Sequence, residues 1–235
     1  MIPTDLIRHA TQTLIDHVDE LTALDQAIGD GDHGLNMRRG ALAIQAKLGE
    51  LAGLSLNEAL RTMGLTCMST IGGSSGPVFG TLLVPLAKEL PDPPTAPALA
   101  LALDAGIKAL TRLGRAEVGQ KTLLDVLDPV RVVLGGDSGG GGNTGDGLLA
   151  RVRQCGFDSA QATAQMDAIK GRASFLGERA LGHVDPGSRS MALIIAAVCD
   201  SLQNTPPSAQ SPHSPHSPHS PQSPPASNPA ATPPA

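Results

Sequence analysis

The sequence contains no Trp and no Tyr, and its only aromatic side chains are Phe79, Phe157 and Phe175. A core so poor in aromatics must be filled by Leu, Ala, Ile, Val and Met. That mix favours helices over sheets, where β-branched and aromatic residues concentrate. Cysteine is scarce too. Cys67, Cys155 and Cys199 are odd in number and far apart, with no metal or redox spacing, so they read as reduced thiols in a cytoplasmic protein. The formal net charge is −5 and no basic run is present, which argues against nucleic-acid partners and their positive footprint. The first residues, MIPTDLIRHATQ, hold no apolar signal core, and no run is long enough for a membrane span, so no membrane partner is expected. The 235 residues suit one domain of about 200 residues and a tail.

What is abundant is glycine, with 27 residues, and in one place carboxylate. Leu24 to Gly40 reads LDQAIGDGDHGLNMRRG and packs Asp25, Asp30 and Asp32 into eight residues, with His33 and Asn36 just after. Each carboxyl ionises near pH 4 when unperturbed. Three close carboxylates repel at neutral pH unless a cation lies between them, and Mg2+ commonly joins carboxylates to substrate phosphates. A Mg2+–nucleotide site is one reading, and a solvated glycine-rich turn is the other. A calcium loop does not fit. Starting its frame at Asp30 puts Leu35 where the turn glycine belongs and Ala41 where the bidentate glutamate belongs.

Apolar residues recur at three- and four-residue steps along most of the chain, and eight helices are predicted. The first starts at a Thr4 cap and runs through Leu21. The second starts near Gly34 and turns Leu42, Ile44, Leu48 and Leu51 inward. A capping box of Ser55 and Glu58 opens the third. After Gly72 to Gly76, Pro77 suits the first turn of the fourth, which continues to Leu90. The fifth spans Ala98 to Leu113, the sixth Thr122 to Leu134, the seventh Ser159 to Ile169, and the eighth Ser188 to Leu202. His33 to Asn36 thus fall at a helix N-terminus, where free N–H groups favour an anion. Gly72 to Gly76 form a second anion-facing loop, or a tight helix–helix turn. Asp125 and Asp128 are accounted for by helix-dipole complementarity. Gly135 to Gly147 lacks the Lys–Ser/Thr ending of a P-loop and reads as a flexible connection. From Asn204 onward, Ser-Pro-His repeats and further Pro, Ser and Ala read as a disordered spacer. The domain is therefore placed at residues 1–203 and the tail at 204–235.

The acidic run resembles the signature of the L, or nucleotide-binding, subunit of dihydroxyacetone kinase. Ile71 to Gly80 (IGGSSGPVFG), Gly114 to Thr122 (GRAEVGQKT) and Lys170 to Gly187 (KGRASFLGERALGHVDPG) are similar to that family in the same order. The resemblance covers roughly residues 4 to 202. It implies a closed barrel of about eight antiparallel helices with the nucleotide at one end. It implies Asp25, Asp30 and Asp32 as Mg2+ ligands. His33, Gly34, Leu35 and Asn36 match the phosphate segment, and Ser74 and Ser75 the second nucleotide loop. Gly114, Leu123, Arg172, Asp185, Pro186 and Gly187 match further nucleotide contacts. Leu123 stands where a relative would carry Met, and Gln120 where Asp is expected. The glycine-rich insertion and the tail are not features of the family.

The resemblance further implies phosphoryl transfer from Mg2+-bound ADP or ATP to dihydroxyacetone held on a separate K subunit, with no catalytic side chain of this chain's own. A phosphocarrier protein of the phosphoenolpyruvate-dependent phosphotransferase system is expected to rephosphorylate bound ADP. An ATP-dependent kinase subunit, one serving another small ketose or a carrier-held fatty acid, a nucleotide-dependent regulatory module, and assembly as a homodimer stay open.

Overall fold

A computed structural model of the protein describes residues 4–136 and 145–204. The middle of the glycine-rich run, the stretch from 205 onward expected to be a tail, and the Arg172 side chain lie outside the described residues. The described residues form ten α-helices and two 3-10 stretches, with no strand among them. The helices are α1 (Thr4–Asp16), α2 (Val18–Ile28), α3 (His33–Gln45), α4 (Leu48–Leu51), α5 (Leu56–Thr70), α6 (Ser75–Glu89), α7 (Ala96–Gly114), α8 (Leu124–Gly135), α9 (Gly145–Ala162) and α10 (Pro186–Gln203). The 3-10 stretches are Thr163–Gln165 and Arg172–Ala180.

Several expectations are corrected. The first helix breaks at His17, whose backbone leaves helical geometry while Nδ1 contacts the Thr13 carbonyl at 2.7 Å. The new helix α2 carries Asp25 on its last turns, so the acidic loop shrinks to the residues between Ile28 and His33. Leu42 points outward and is 46% exposed. The inward stripe of α3 is instead Met37, Gly40, Ala41 and Ile44. The α7 helix starts at Ala96, with Thr95 Oγ1 accepting from Ala98 N–H at 3.4 Å. The α9 helix begins fourteen residues before the predicted Ser159 and ends at Ala162. The α10 helix begins at Pro186 because Asp185, not Ser188, caps it, accepting from Ser188 N–H at 2.6 Å. The Ser55–Glu58 capping box forms as read: Ser55 Oγ accepts from Glu58 N–H, and Ser55 N–H donates back to the Glu58 carboxylate. The three cysteines are free thiols. Desolvation pushes Cys67 and Cys199 up to about 11.

Eight of the helices close into a ring. Going round it, α1 touches α3, α3 touches α5, and α5 through α10 each touch the next, until α10 returns to α1. Short connections make α5, α6, α7 and α8 successively antiparallel. The helix α2 lies outside the ring order, against α3, α10 and the second 3-10 stretch. Small residues let the helices approach. A Cβ on Gly80 of α6 would overlap Met68 and come within 2.9 Å of the Gly64 carbonyl, both on α5. The interior is filled by Leu21, Leu51, Ala59, Ala102, Val126 and Ala192, all fully buried. No helix among the described residues is long and apolar enough to cross a membrane.

Candidate functional site

Antiparallel closure has an electrostatic consequence. Alternate members of the ring, α3, α6, α8 and α10, point the same way. Their first residues, His33, Ser75, Leu124 and Pro186, all line one cavity of about 430 Å³. A helix N-terminus leaves backbone N–H groups unpaired and carries about half a positive charge. Four of them around one cavity make a site for an anion.

The acidic end is built around α2 and α3. One oxygen from each of Asp25, Asp30 and Asp32 lies within 4.8 Å of the others. Asp25 is buried, and its Oδ2 accepts the His33 N–H at 3.0 Å. Its carboxylate lies on Gly29, where a Cβ would overlap it, and Gly31 turns the chain with φ of 76°. Three carboxylate oxygens gathered this closely form the all-oxygen donor set that a hard divalent cation takes, and small side-chain adjustments would bring them to the shorter ligand spacing of Mg2+.

His33 ties three helices together. Its Nδ1 lies 3.2 Å from Ser75 Oγ on α6, and its Nε2 lies 3.2 Å from Ser190 Oγ on α10. The single Ser190 hydroxyl proton is given to the Gly187 carbonyl at 2.9 Å. Hydrogen-bond logic then assigns the ring proton to Nε2 and leaves Nδ1 as the acceptor. Burial pushes the His33 pKa below its ordinary value, against the opposing effects of Asp25 and the Pro186 carbonyl.

Much of the cavity wall is apolar, supplied by Leu110, Leu113, Ala116, Leu123, Val78 and Phe79. It suits a flat aromatic base. Lys121 lies in this wall with only 1% of its surface exposed. Its Nζ donates to the carbonyls of Thr163 and His183, each at 2.6 Å, and faces that of Met166 at 3.4 Å. Asp125 is not a mere dipole partner. It is buried, and its carboxylate accepts the N–H groups of Gly119 and Thr122, folding the loop before α8. Asp128 pairs with Arg131 at 2.7 Å. Asp185 has its carboxyl pushed up to about 6, first by desolvation and then by Asp125, against the hydrogen bonds from Ser188 and the Lys121 charge.

The structure thus gathers on one cavity ten of the residues singled out in the sequence: Asp25, Asp32, His33, Ser74, Ser75, Gly114, Leu123, Asp185, Pro186 and Gly187. Asp30 joins them through the carboxylate cluster. Gly34, Leu35 and Asn36 do not line the cavity. Gly34 packs on α2, where a Cβ would overlap the Val18 carbonyl, and Leu35 is 52% exposed. Asn36 is buried, its side-chain oxygen accepting from Arg39 at 3.3 Å. Sequence reasoning missed Lys121 and Ser190. The only signal was the GQKT run itself, since Lys121 and its carbonyl partners are 42 to 62 residues apart.

The DAK2 domain model matches residues 27–200. The chain is 38% identical over 180 residues to the ADP-binding subunit of PEP-dependent dihydroxyacetone kinase 1 from Listeria innocua, covering 76% of this chain and 84% of that protein. It is 38% identical over 177 residues to the corresponding Escherichia coli subunit, covering 74% and 84%. A solved dihydroxyacetone kinase of C. freundii in complex with AMP-PNP and Mg2+ superposes with a TM-score of 0.62 at 27% identity, over 84% of this chain. The match spans about a third of that kinase, 33% of its length. With the ring of helices, the carboxylate cluster and the family match in agreement, the chain belongs to the DAK2-domain family.

Proposed function

We propose that this chain is the nucleotide-binding subunit of a dihydroxyacetone kinase. It holds Mg2+ and ADP (or ATP), and a phosphoryl group passes from the nucleotide to dihydroxyacetone on a separate K subunit. The observation that carries this reading is the meeting of three carboxylates with four helix N-termini on one cavity whose wall is largely apolar.

The nucleotide-binding domain is residues 1–203, and 204–235 serve as a spacer. Asp25, Asp30 and Asp32 would hold Mg2+, which would supply charge neutralisation for the terminal phosphates. Asp25 also fixes the N-terminus of α3 through the His33 N–H. His33, held neutral by burial, offers no competing charge and positions the Ser75 hydroxyl beside the phosphates. Gly34, Leu35 and Asn36 shape that helix end, and Ser74 and Ser75 supply donors from α6. Gly114 and Leu123 pack on the base, Asp185–Gly187 supply further nucleotide contacts, and Arg172 supports the phosphate or nucleotide. Phosphoryl transfer is mainly positioning and charge neutralisation, and this donor set is suited to both.

The acceptor arrives on the K partner, docked over the cavity mouth. Exposed apolar side chains in the segments that border the cavity support that docking: Phe175 is 90% exposed, Ile169 55% and Leu113 51%. Bound ADP is rephosphorylated by a phosphocarrier of the phosphoenolpyruvate-dependent system. Both bacterial relatives carry PEP-dependence in their names and match this chain over most of their length, which supports that donor over free ATP.

The test is the nucleotide content of the purified protein, released by denaturation and separated by anion exchange. Near-stoichiometric ADP is expected. An empty protein that binds Mg2+–ATP reversibly would replace the phosphocarrier with ATP as donor. A protein that binds neither nucleotide would overturn the assignment.

A further inference from the structure

One wall of the cavity is made of three segments that are distant in sequence: the loop before α8, the Thr163–Gln165 turn, and the stretch leading into α10. None of them is α-helical. One buried ammonium joins all three. Lys121 sits in the first segment with φ of 61°, a left-handed backbone that a lysine rarely adopts. An ammonium has three donors, and three backbone carbonyls surround this one, at Thr163, Met166 and His183. Weaker ties run beside it. The Asp185 N–H donates to Thr163 Oγ1 at 2.9 Å, Ser188 Oγ donates to the Thr122 carbonyl at 2.9 Å, and the Gly182 N–H donates to the Ala164 carbonyl at 2.8 Å. The residues next to this junction face the cavity. Thr122 and Leu123 follow Lys121, and Asp185 to Gly187 follow His183. Gly187 lies against Leu123, where a Cβ would stand 4.0 Å from the Leu123 Cβ.

We propose that Lys121 is a positioning residue for the nucleotide: its ammonium clamps the His183 and Thr163 carbonyls so that Leu123 and the Asp185–Gly187 turn are held as one wall around the base. The inference rests on the nucleotide reading above. A buried ammonium is a costly way to fill space. An apolar side chain of the same length would pack there without losing hydration, so the charge is retained for the geometry of its acceptors. Desolvation already pushes the Lys121 pKa below its ordinary value, and the nearby Asp185 and Asp167 oppose that shift.

The experiment uses the full chain freed of nucleotide, with ADP binding followed by calorimetry. Lys121→Met keeps the length and leaves the carbonyls without their donor. Thr163→Val is a milder change to the same junction, removing the acceptor for the Asp185 N–H and the hydroxyl's own bond to the Ala160 carbonyl while leaving the Lys121 ammonium in place. Lys121→Met is expected to raise the dissociation constant for ADP about tenfold or more, and Thr163→Val about threefold. The Mg2+ concentration needed for half-binding at saturating ADP should stay within about twofold of the unaltered protein, because the aspartate end is built by other elements. ADP affinity unchanged in both variants would overturn the proposal. So would equal losses in the ADP and Mg2+ dependences, which mark a general structural role. If Lys121→Met does not fold, an unchanged ADP affinity in Thr163→Val overturns it alone. Failure of the unaltered protein to bind ADP is a separate result, visible before any variant is made, and sinks the nucleotide reading itself.

Discussion

Replacing Asp185 with Asn should stabilise the nucleotide-free protein at neutral pH while weakening its hold on nucleotide. The Asp185 carboxyl has its pKa pushed from 3.8 up to about 6, chiefly by desolvation. A carboxyl whose folded pKa is raised contributes stability below its unfolded pKa and loses it as pH rises through the folded one. The gap is about two units, and at about 1.4 kcal/mol per unit the ceiling is about 3 kcal/mol. Asp185 is only partly buried as a residue, so screening by water lowers the expected gain to about 1–2 kcal/mol. Asn caps a helix about as well as Asp, so the hydrogen bond from Ser188 N–H survives and little cap energy is lost. In a domain of this size the gain corresponds to a rise in Tm of roughly 2–8 °C. The assay is thermal or urea unfolding of both proteins in EDTA, at about pH 4.5 and about pH 7.5. The advantage of the variant should be small at the lower pH and grow towards the higher. An advantage equal at both values, or a destabilised variant at neutral pH, would refute the reasoning.

Three further changes separate the acidic end from the scaffold. Asp30→Ala should abolish Mg2+-dependent nucleotide retention and leave the helical circular-dichroism signal intact, since Asp30 is exposed and outside the helices. Unchanged retention would remove Asp30 from the metal set. Gly34→Ala should destabilise the fold by about 1–3 kcal/mol, as expected of overpacking, because its Cβ would overlap the Val18 carbonyl and Thr22 of α2. A urea midpoint equal to that of the unaltered protein would contradict this close approach. Ser55→Ala removes the capping box of α5 and should cost about 1 kcal/mol in urea unfolding. Nucleotide retention should be untouched, because Ser55 does not line the cavity.

Features set by neighbours three or four positions apart were legible in the chain. The Ser55–Glu58 cap, the buried Leu103, Ile107 and Leu110 face of α7, and the start of α6 near Pro77 all follow from such spacing. Misreadings came where small or polar residues carry the pattern. Gly40 and Ala41 form the inner stripe of α3 and displaced the expected Leu42. In α9 the buried positions Leu148, Val152 and Ala160 are interleaved with the polar Arg151, Arg153 and Gln154 and follow a glycine-rich stretch, so its first half carries no clear apolar stripe. The acidic run after Leu21 reads as a loop that includes Asp25. The helix continues past it to Ile28, which leaves Asp25 buried and facing the His33 N–H.

By itself the sequence determined an all-helical chain, the polar breaks between its helices, and the cluster of three aspartates, because helix periodicity, caps and acidic runs are all local. Only the tertiary structure decided that eight helices close into a ring, and hence that four N-termini meet at one cavity. It also decided that His33 bonds Ser75 and Ser190, 42 and 157 residues away, and that Lys121 is buried among carbonyls from two distant segments. The physical reason is that a helix dipole or a buried ammonium acquires its role from the groups packed against it, and those groups are brought together by closure of the ring rather than by their place in the chain.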